Sequence, residues 1–432
     1  LMEKLNTKLQ HPRDQIVEII TRIYDAGLTT TSGGNISIKD DEGNIWITPA
    51  AVDKGTLQRK DIICMAPDGG KKSGFHRPSS EYPFHRAIYE ARPDLTAIVH
   101  AHPPALVSFA TVRQVPSMNI IPQARKVCGA IGYAKYACPG TQSLGDSISE
   151  QFAKGYNSVI MENHGTVVGG RDIKEAFTRF ETFEFSARTI INASIIGEPS
   201  YLSDEQIEVF ESRIPRDLPE MEQVEYPEKE RSIRRNIADI VQRSCAQGMM
   251  ISSYGNISVR WQGDDFLITP RDMARTEMGL EDIVQVRGGK REPGKLPSLA
   301  VSVHQKIYQH NPHINSIIST QPPNLMAFAV AREKIDVRTI PESWIFLRDI
   351  PSLEFGIQYT RPEKVAGLFS PDQPAILFEN DGFIVTGNKL LETFDRLEVA
   401  EFSARSLIMG HALGELVPIN SDQIQELRDT FL

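Results

Sequence analysis

Residues 13–27, RDQIVEIITRIYDAG, carry apolar side chains at helical spacing, and Gly27 supplies a C-terminal stop. The pattern then changes period. NISIK (35–39) and NIWITP (44–49) alternate apolar and polar residues on either side of a turn at DDEGN, which predicts a β-hairpin. SSEYPFHRAIYEAR (79–92) reads as a helix opened by serine caps, and LTAIVHAHPP (95–104) as a short β-branched strand ended by prolines. SVIMENHGTVVGG (158–170) predicts strand, turn and strand, and DIKEAFTRFETFEFSARTIINA (172–193) a long amphipathic helix. Strands and helices interleave through hairpins as well as crossovers, so the expected unit is an α/β layered domain with a mixed sheet.

The pattern occurs twice. Asn35 is answered by Asn256 and Thr48 by Thr269, each 221 residues later. VHAHPP (99–104) faces ISTQPP (318–323), MENHGTVVGG (161–170) faces FENDGFIVTG (378–387), and EFSAR recurs intact at 184–188 and 401–405. The offset drifts by only a few residues, which predicts a tandem duplication. The acidic, proline-rich IPRDLPEMEQVEYPEKE reads as the break between copies. The expected organisation is a domain over 1–213, a linker over 214–230 and a second domain over 231–432.

Composition narrows the function classes. A net charge of -9 argues against nucleic acid, which needs a basic face. No apolar run reaches the roughly 18 residues of a membrane span, and LMEKLNTKLQHPRD has no signal-peptide core. Four cysteines without CxxC spacing predict a reduced, cytoplasmic protein rather than a disulfide framework.

His100 and His102 lie at i and i+2 of the expected strand and so share a face; His164, in ENHG, is a candidate third partner. Three imidazoles with an open position suit a catalytic divalent ion, although a histidine pair on a strand also serves plain packing. The second copy weighs between these readings. It has Ser319, Gln321 and Asp381 at the three positions, and Ala300 where the first has Glu81. Around them Pro297, Ser298, His304, Pro322, Pro323, Asn380 and Gly382 all match their partners. Residues lost together while the scaffold persists point to one shared function. His85, one helical turn after Glu81, keeps its counterpart His304 and is therefore expected to be structural.

SGGNIS, ITP, PSSE, VHAHPP and ENHG, in this order over residues 32–165, resemble the class II aldolase/adducin family. The resemblance implies α/β/α layers around a mostly antiparallel sheet. It implies zinc or a similar divalent ion on His100, His102 and His164, with Glu81 as the acid/base. Such an enzyme cleaves a ketose phosphate or related sugar acid through an enediolate, whose charge the metal stabilises. Epimerisation, dehydration, decarboxylation and an adducin-like interaction role are the alternatives within the family. Anion recognition falls on Gly34 and Asn35 of SGGN and on Ser79 and Ser80. Two departures bear on the substrate. ITP is followed by Ala50 and Ala51 rather than by a hydroxyl or small residue and glycine, and VPSMNIIPQARK (115–126) lacks the tyrosine that fuculose phosphate aldolases use there, leaving Arg125 and Lys126 as nearby cations. The resemblance also implies a homo-oligomer, and the second domain is expected to lie at its interface.

Overall fold

The computed structural model describes residues 9–213 and 217–431. The first residues of the expected linker, 214–216, and the start of the N-terminal segment, 1–8, lie outside them. The chain divides into two compact units. One comprises the described residues up to Asn119 with Gln123–Arg188, the other Ile120–Pro122 and the described residues from Thr189 onward.

The first sheet contains β1 (Asn35–Lys39), β2 (Ile45–Ile47), β3 (Ile63–Met65), β4 (Lys71–Ser73), β5 (Ala97–Ala101), β6 (Ile131–Ala134), β7 (Ser158–Met161) and β8 (Gly165–Gly170). Its order is β4-β3-β2-β1-β5-β8-β7-β6, antiparallel throughout except for the β6–β7 pair. The second sheet contains β9 (Asn256–Gln262), β10 (Asp265–Ile268), β11 (Val284–Arg287), β12 (Lys290–Arg291), β13 (Ser316–Thr320), β14 (Ser352–Leu353), β15 (Ala375–Phe378) and β16 (Gly382–Gly387). It repeats the order as β12-β11-β10-β9-β13-β16-β15-β14, again with one parallel pair at the same edge. The predicted α/β layering around a mixed, mostly antiparallel sheet is therefore present twice.

In the first unit Ile45, Ile47, Ile63, Ile98, Val159 and Val167 cluster with Phe84, Ile88, Leu144, Ile148 and Phe152 from the helices Tyr82–Ala91 and Gln142–Ala153. Each buried side chain of this size contributes roughly 1.5–3 kcal/mol. Ile98 and His100 alternate onto the same face of β5, so the core that seats helix Tyr82–Ala91 also brings it over the histidine strand. The expected helix over 13–27 spans Pro12–Asp25, and Gly27 follows it in the left-handed region at φ 68°.

Candidate metal centre

β5 ends at Ala101, so His102 sits one residue beyond the strand rather than within it. His164 lies in the turn between β7 and β8, where Asn163 adopts φ 54°; Asn380 repeats this at φ 52°. Asparagine tolerates the left-handed region, which accounts for its presence in both copies. The structure brings the three histidines together, with one ligand-capable atom from each within 4.8 Å of the others. His100 Nε2 and His102 Nε2 are 3.2 Å apart.

Two of the rings are aimed by their surroundings. Thr166 O accepts a 2.8 Å hydrogen bond from His100 Nδ1, which leaves Nε2 to face the cluster. A β-carbon at Gly33 would stand 3.1 Å from His102 Nδ1, and one at Gly165 would stand 2.8 Å from His102 Cδ2. Gly34, at φ 70°, passes so close to His100 O that a β-carbon there would come within 2.7 Å. The SGGN loop is thus glycine-rich because the histidine strand runs against it.

Glu81 occupies the N-cap position of helix Tyr82–Ala91 without capping it, and Ser79 Oγ accepts from the Glu81 amide instead (3.3 Å). The freed carboxylate is buried among the histidines. Oε2 lies 3.1 Å from His100 Nε2, and Oε1 lies 3.4 Å from His164 Nε2 without a hydrogen-bond partner. Burial pushes the Glu81 pKa up, but the charge and hydrogen bond of His100, then Asn35 and His164, outweigh it and hold the carboxyl well below its usual range. Burial would lower His100, yet Glu81 raises it on balance. His102 is pushed down to about 3 and His164 to about 4, by burial first and then by the charge on His100. Three imidazoles beside a buried carboxylate, whose Oε1 has no hydrogen-bond partner, form a donor set that would suit a divalent ion.

Of the predicted anion-binding residues, Ser79 is buried and Ser80 exposed on the same loop. Asn35 pairs with His100 across β1 and β5, and its Nδ2 donates to Glu81 Oε2 at 2.7 Å. Its Oδ1 is engaged by His85 Nε2, so both ends of the amide are committed. Ala51, where the family places glycine, has φ 54°, at a cost of about 1 kcal/mol relative to glycine. Arg125 and Lys126 are exposed on helix Pro122–Cys128.

At the corresponding place in the second unit, Asn256 pairs with Ser319 in the same register. His304 Nε2 meets Ser319 Oγ at 2.9 Å, and Gln321 Nε2 donates to Asp381 O at 2.5 Å. The Asp381 carboxylate is taken by Gln358 and by the Tyr359 hydroxyl, both from the short helix Ile357–Thr360. The Arg213 guanidinium stacks 4.4 Å from the Tyr359 ring centre and 3.5 Å from that of Phe210. The corresponding position is thus filled by a polar cluster bonded largely within itself, with Gln321 Oε1, Gln358 Oε1 and Asn256 Oδ1 left without a hydrogen-bond partner.

The repeated EFSAR has a structural use that sequence reasoning missed. Glu184 accepts from the amides of Ala105 (3.1 Å) and Leu106 (3.0 Å), capping the helix that begins two residues after His102. Glu401 does the same for Asn324 and Leu325. Identity across both copies was the available signal. For Gly33 the signal was its replacement by Tyr254 in the copy without the three clustered histidines.

The sequence model of the family described as "Class II Aldolase and Adducin N-terminal domain" matches residues 14–191 and again 235–408. The chain belongs to this family, with two such domains in tandem. It is 32% identical over 46% of its length to the 5-deoxy-D-ribulose 1-phosphate aldolase of Bacillus thuringiensis, 93% of which is covered. An L-fuculose phosphate aldolase of Methanococcus maripaludis is 33% identical over 39% of this chain and 91% of its own. The 3-oxo-tetronate 4-phosphate decarboxylase of Escherichia coli is 29% identical over 44% and 89%. Each relative corresponds in length to one of the two domains.

Proposed function

We propose that the first domain is a zinc-dependent lyase that cleaves a ketose phosphate or related sugar acid, with Glu81 moving the proton. The observation that carries this reading is the convergence of His100, His102, His164 and the buried Glu81 carboxylate in one domain, against its replacement as a set in the other. A divalent ion held by the three histidines supplies Lewis-acid stabilisation of the negative charge that bond cleavage leaves on the substrate oxygens. Glu81 Oε1, buried and unpartnered, is the acceptor that takes or returns a proton at the reacting carbon or hydroxyl. The Gly34 and Asn35 main chain, with Ser79 and Ser80, receives the anionic end of the substrate.

Decarboxylation of a phosphorylated 3-oxo sugar acid is the second reading. The missing tyrosine in residues 115–126 and the likeness to a 3-oxo-tetronate 4-phosphate decarboxylase support it. Both reactions leave the same kind of carbanion, so one centre serves either.

The boundaries 1–213, 214–230 and 231–432 are our proposal for the domain organisation. Four free thiols support a cytoplasmic setting. Among the described residues no helix is long and apolar enough to cross a membrane. We also propose that the chain assembles with a second copy through the second domain. Leu391, Phe402 and Met409 form one stripe on helix Leu390–His411 and are 62%, 65% and 62% exposed, whereas Phe185, the Phe402 equivalent in EFSAR, is 2% exposed.

A panel of ketose 1-phosphates and phosphorylated 3-oxo sugar acids, scored for aldehyde and CO2 release, tests the reaction. Turnover that stops with chelator and returns with zinc is expected. No turnover of any member by zinc-loaded protein would contradict the reading.

A further inference from the structure

The strongest feature outside the histidine cluster is the buried polar chain behind Glu81. Ser37 lies two residues after Asn35 on β1, so both face helix Tyr82–Ala91. From that helix His85 and Tyr89 follow Glu81 at one-turn spacing, which aligns the three on one side. Ser37 Oγ contacts Tyr89 OH at 2.8 Å and His85 Nδ1 at 2.7 Å, and His85 Nε2 reaches Asn35 Oδ1.

The direction of these bonds is fixed from the carboxylate end. An ionised Glu81 accepts only, so the Asn35 amide must present Nδ2 to it and Oδ1 to His85. Since Oδ1 only accepts, His85 carries its proton on Nε2 and accepts from Ser37 at Nδ1. Donors therefore run one way, Ser37 to His85 to Asn35 to Glu81, each bond polarising the next. The Tyr89 hydroxyl closes the far end, with Ser37 Oγ at 2.8 Å and Ser37 O at 3.1 Å as acceptors for its one proton.

The second domain supplies the control. Tyr308, Ser258 and His304 repeat the first three members, at 2.8 Å and 2.7 Å. There His304 Nε2 turns to Ser319 Oγ instead, and Asn256 Oδ1 is buried without a hydrogen-bond partner. The Tyr–Ser–His part is thus common to the fold. The link through asparagine is made in the domain that has a glutamate to receive it.

We infer that Asn35 is a positioning residue: its side-chain amide, oriented by His85, holds Glu81 Oε2 so that Oε1 faces the reacting atoms, and it is not a side-chain ligand for the anionic end of the substrate. The inference rests on reading Glu81 as the proton carrier of a metal-dependent lyase. It also reassigns a side chain that the family resemblance places at the anion.

The test uses the full chain with Asn35→Ala and the isosteric Asn35→Asp, and Asn256→Ala as the matched change in the second domain. In crystals of zinc-loaded Asn35→Ala the Glu81 carboxylate is expected to lose its single orientation. On the substrate the wild type turns over, kcat falls about 10–100-fold with KM little changed, the size typical of lost support behind a metal site. Zinc affinity, read by chelator competition, changes far less than kcat. Asn35→Asp falls as far as Asn35→Ala, because it keeps the shape but not the donor, and Asn256→Ala leaves turnover unchanged. Inorganic phosphate, titrated calorimetrically, binds Asn35→Ala as it binds the wild type. A rise in KM with kcat retained and weakened phosphate binding would overturn the inference, as would an unmoved Glu81 in the variant crystal. An inactive wild type would sink the lyase reading alone, and the Glu81 orientation would still decide this one.

Discussion

β5 and β13 hold the same place in two sheets of identical order, each flanked by the same neighbours. On β5, His100 points an imidazole nitrogen at a buried carboxylate and two further imidazoles. On β13, Ser319 offers a hydroxyl to His304, and the space beyond is closed by Gln321, Asp381, Gln358 and Tyr359 bonding to one another. The contrast separates what the fold needs from what the chemistry needs. The prolines after each strand, the left-handed asparagine before each second strand, the Tyr–Ser–His support and the EFSAR carboxylate occur in both. The three clustered histidines, Glu81 and Gly33 occur in one. Where the three histidines are replaced, new hydrogen bonds fill the space rather than an empty cavity, although Asn256 Oδ1, Gln321 Oε1 and Gln358 Oε1 remain without a partner.

The shared part of the comparison is tested most severely by acid. Burial pushes His85 and His304 each down to about 3, from an unfolded value near 6.5. The unfolded chain therefore binds a proton below about pH 6.5 that the folded domain refuses. Stability is complete above that pH and is lost as pH falls toward 3, by roughly 1.4 kcal/mol per pH unit for each histidine. Urea melts of the wild type and of His304→Gln between pH 7 and pH 4 check this. The variant is expected to lose one proton's worth of slope, and an unchanged slope would mean that His304 is not held neutral.

A smaller effect separates the two carboxylate caps. Glu184→Ala and Glu401→Ala each leave two main-chain amides at a helix start without their carboxylate acceptor, at a cost of about 2 kcal/mol. Because the first helix begins just after His102, Glu184→Ala should also weaken zinc binding by about tenfold. Glu401→Ala should leave zinc binding alone. Equal zinc affinities for the two variants would show that the cap does not position the ligand.

How far this was legible in the sequence depends on where the signal lay. Periodicity gave the strands and helices. The second copy, acting as an internal reference, picked out His100, His102, His164 and Glu81 because their replacement stood out against retained neighbours. It also cleared His85 of a ligand role through His304. Local spacing did not reveal the ends of interactions that cross the sheet. That Asn35 faces Glu81 depends on β1–β5 register, and that Gln358 and Tyr359 close the second pocket depends on a short helix far along the chain. The expected serine cap on helix Tyr82–Ala91 is not made: Glu81 holds the cap position without a side-chain cap bond, its carboxylate lying among the histidines, and Ser79 Oγ accepts only from the Glu81 amide ahead of the helix.

The central claim is one metal centre per chain, in the first domain. Metal analysis of the zinc-loaded full chain, with His164→Ala and Asp381→Ala measured alongside, tests it directly. About one ion per chain is expected in the wild type and in Asp381→Ala, and close to none in His164→Ala. About two ions per wild-type chain, or an ion kept by His164→Ala and lost from Asp381→Ala, would contradict it.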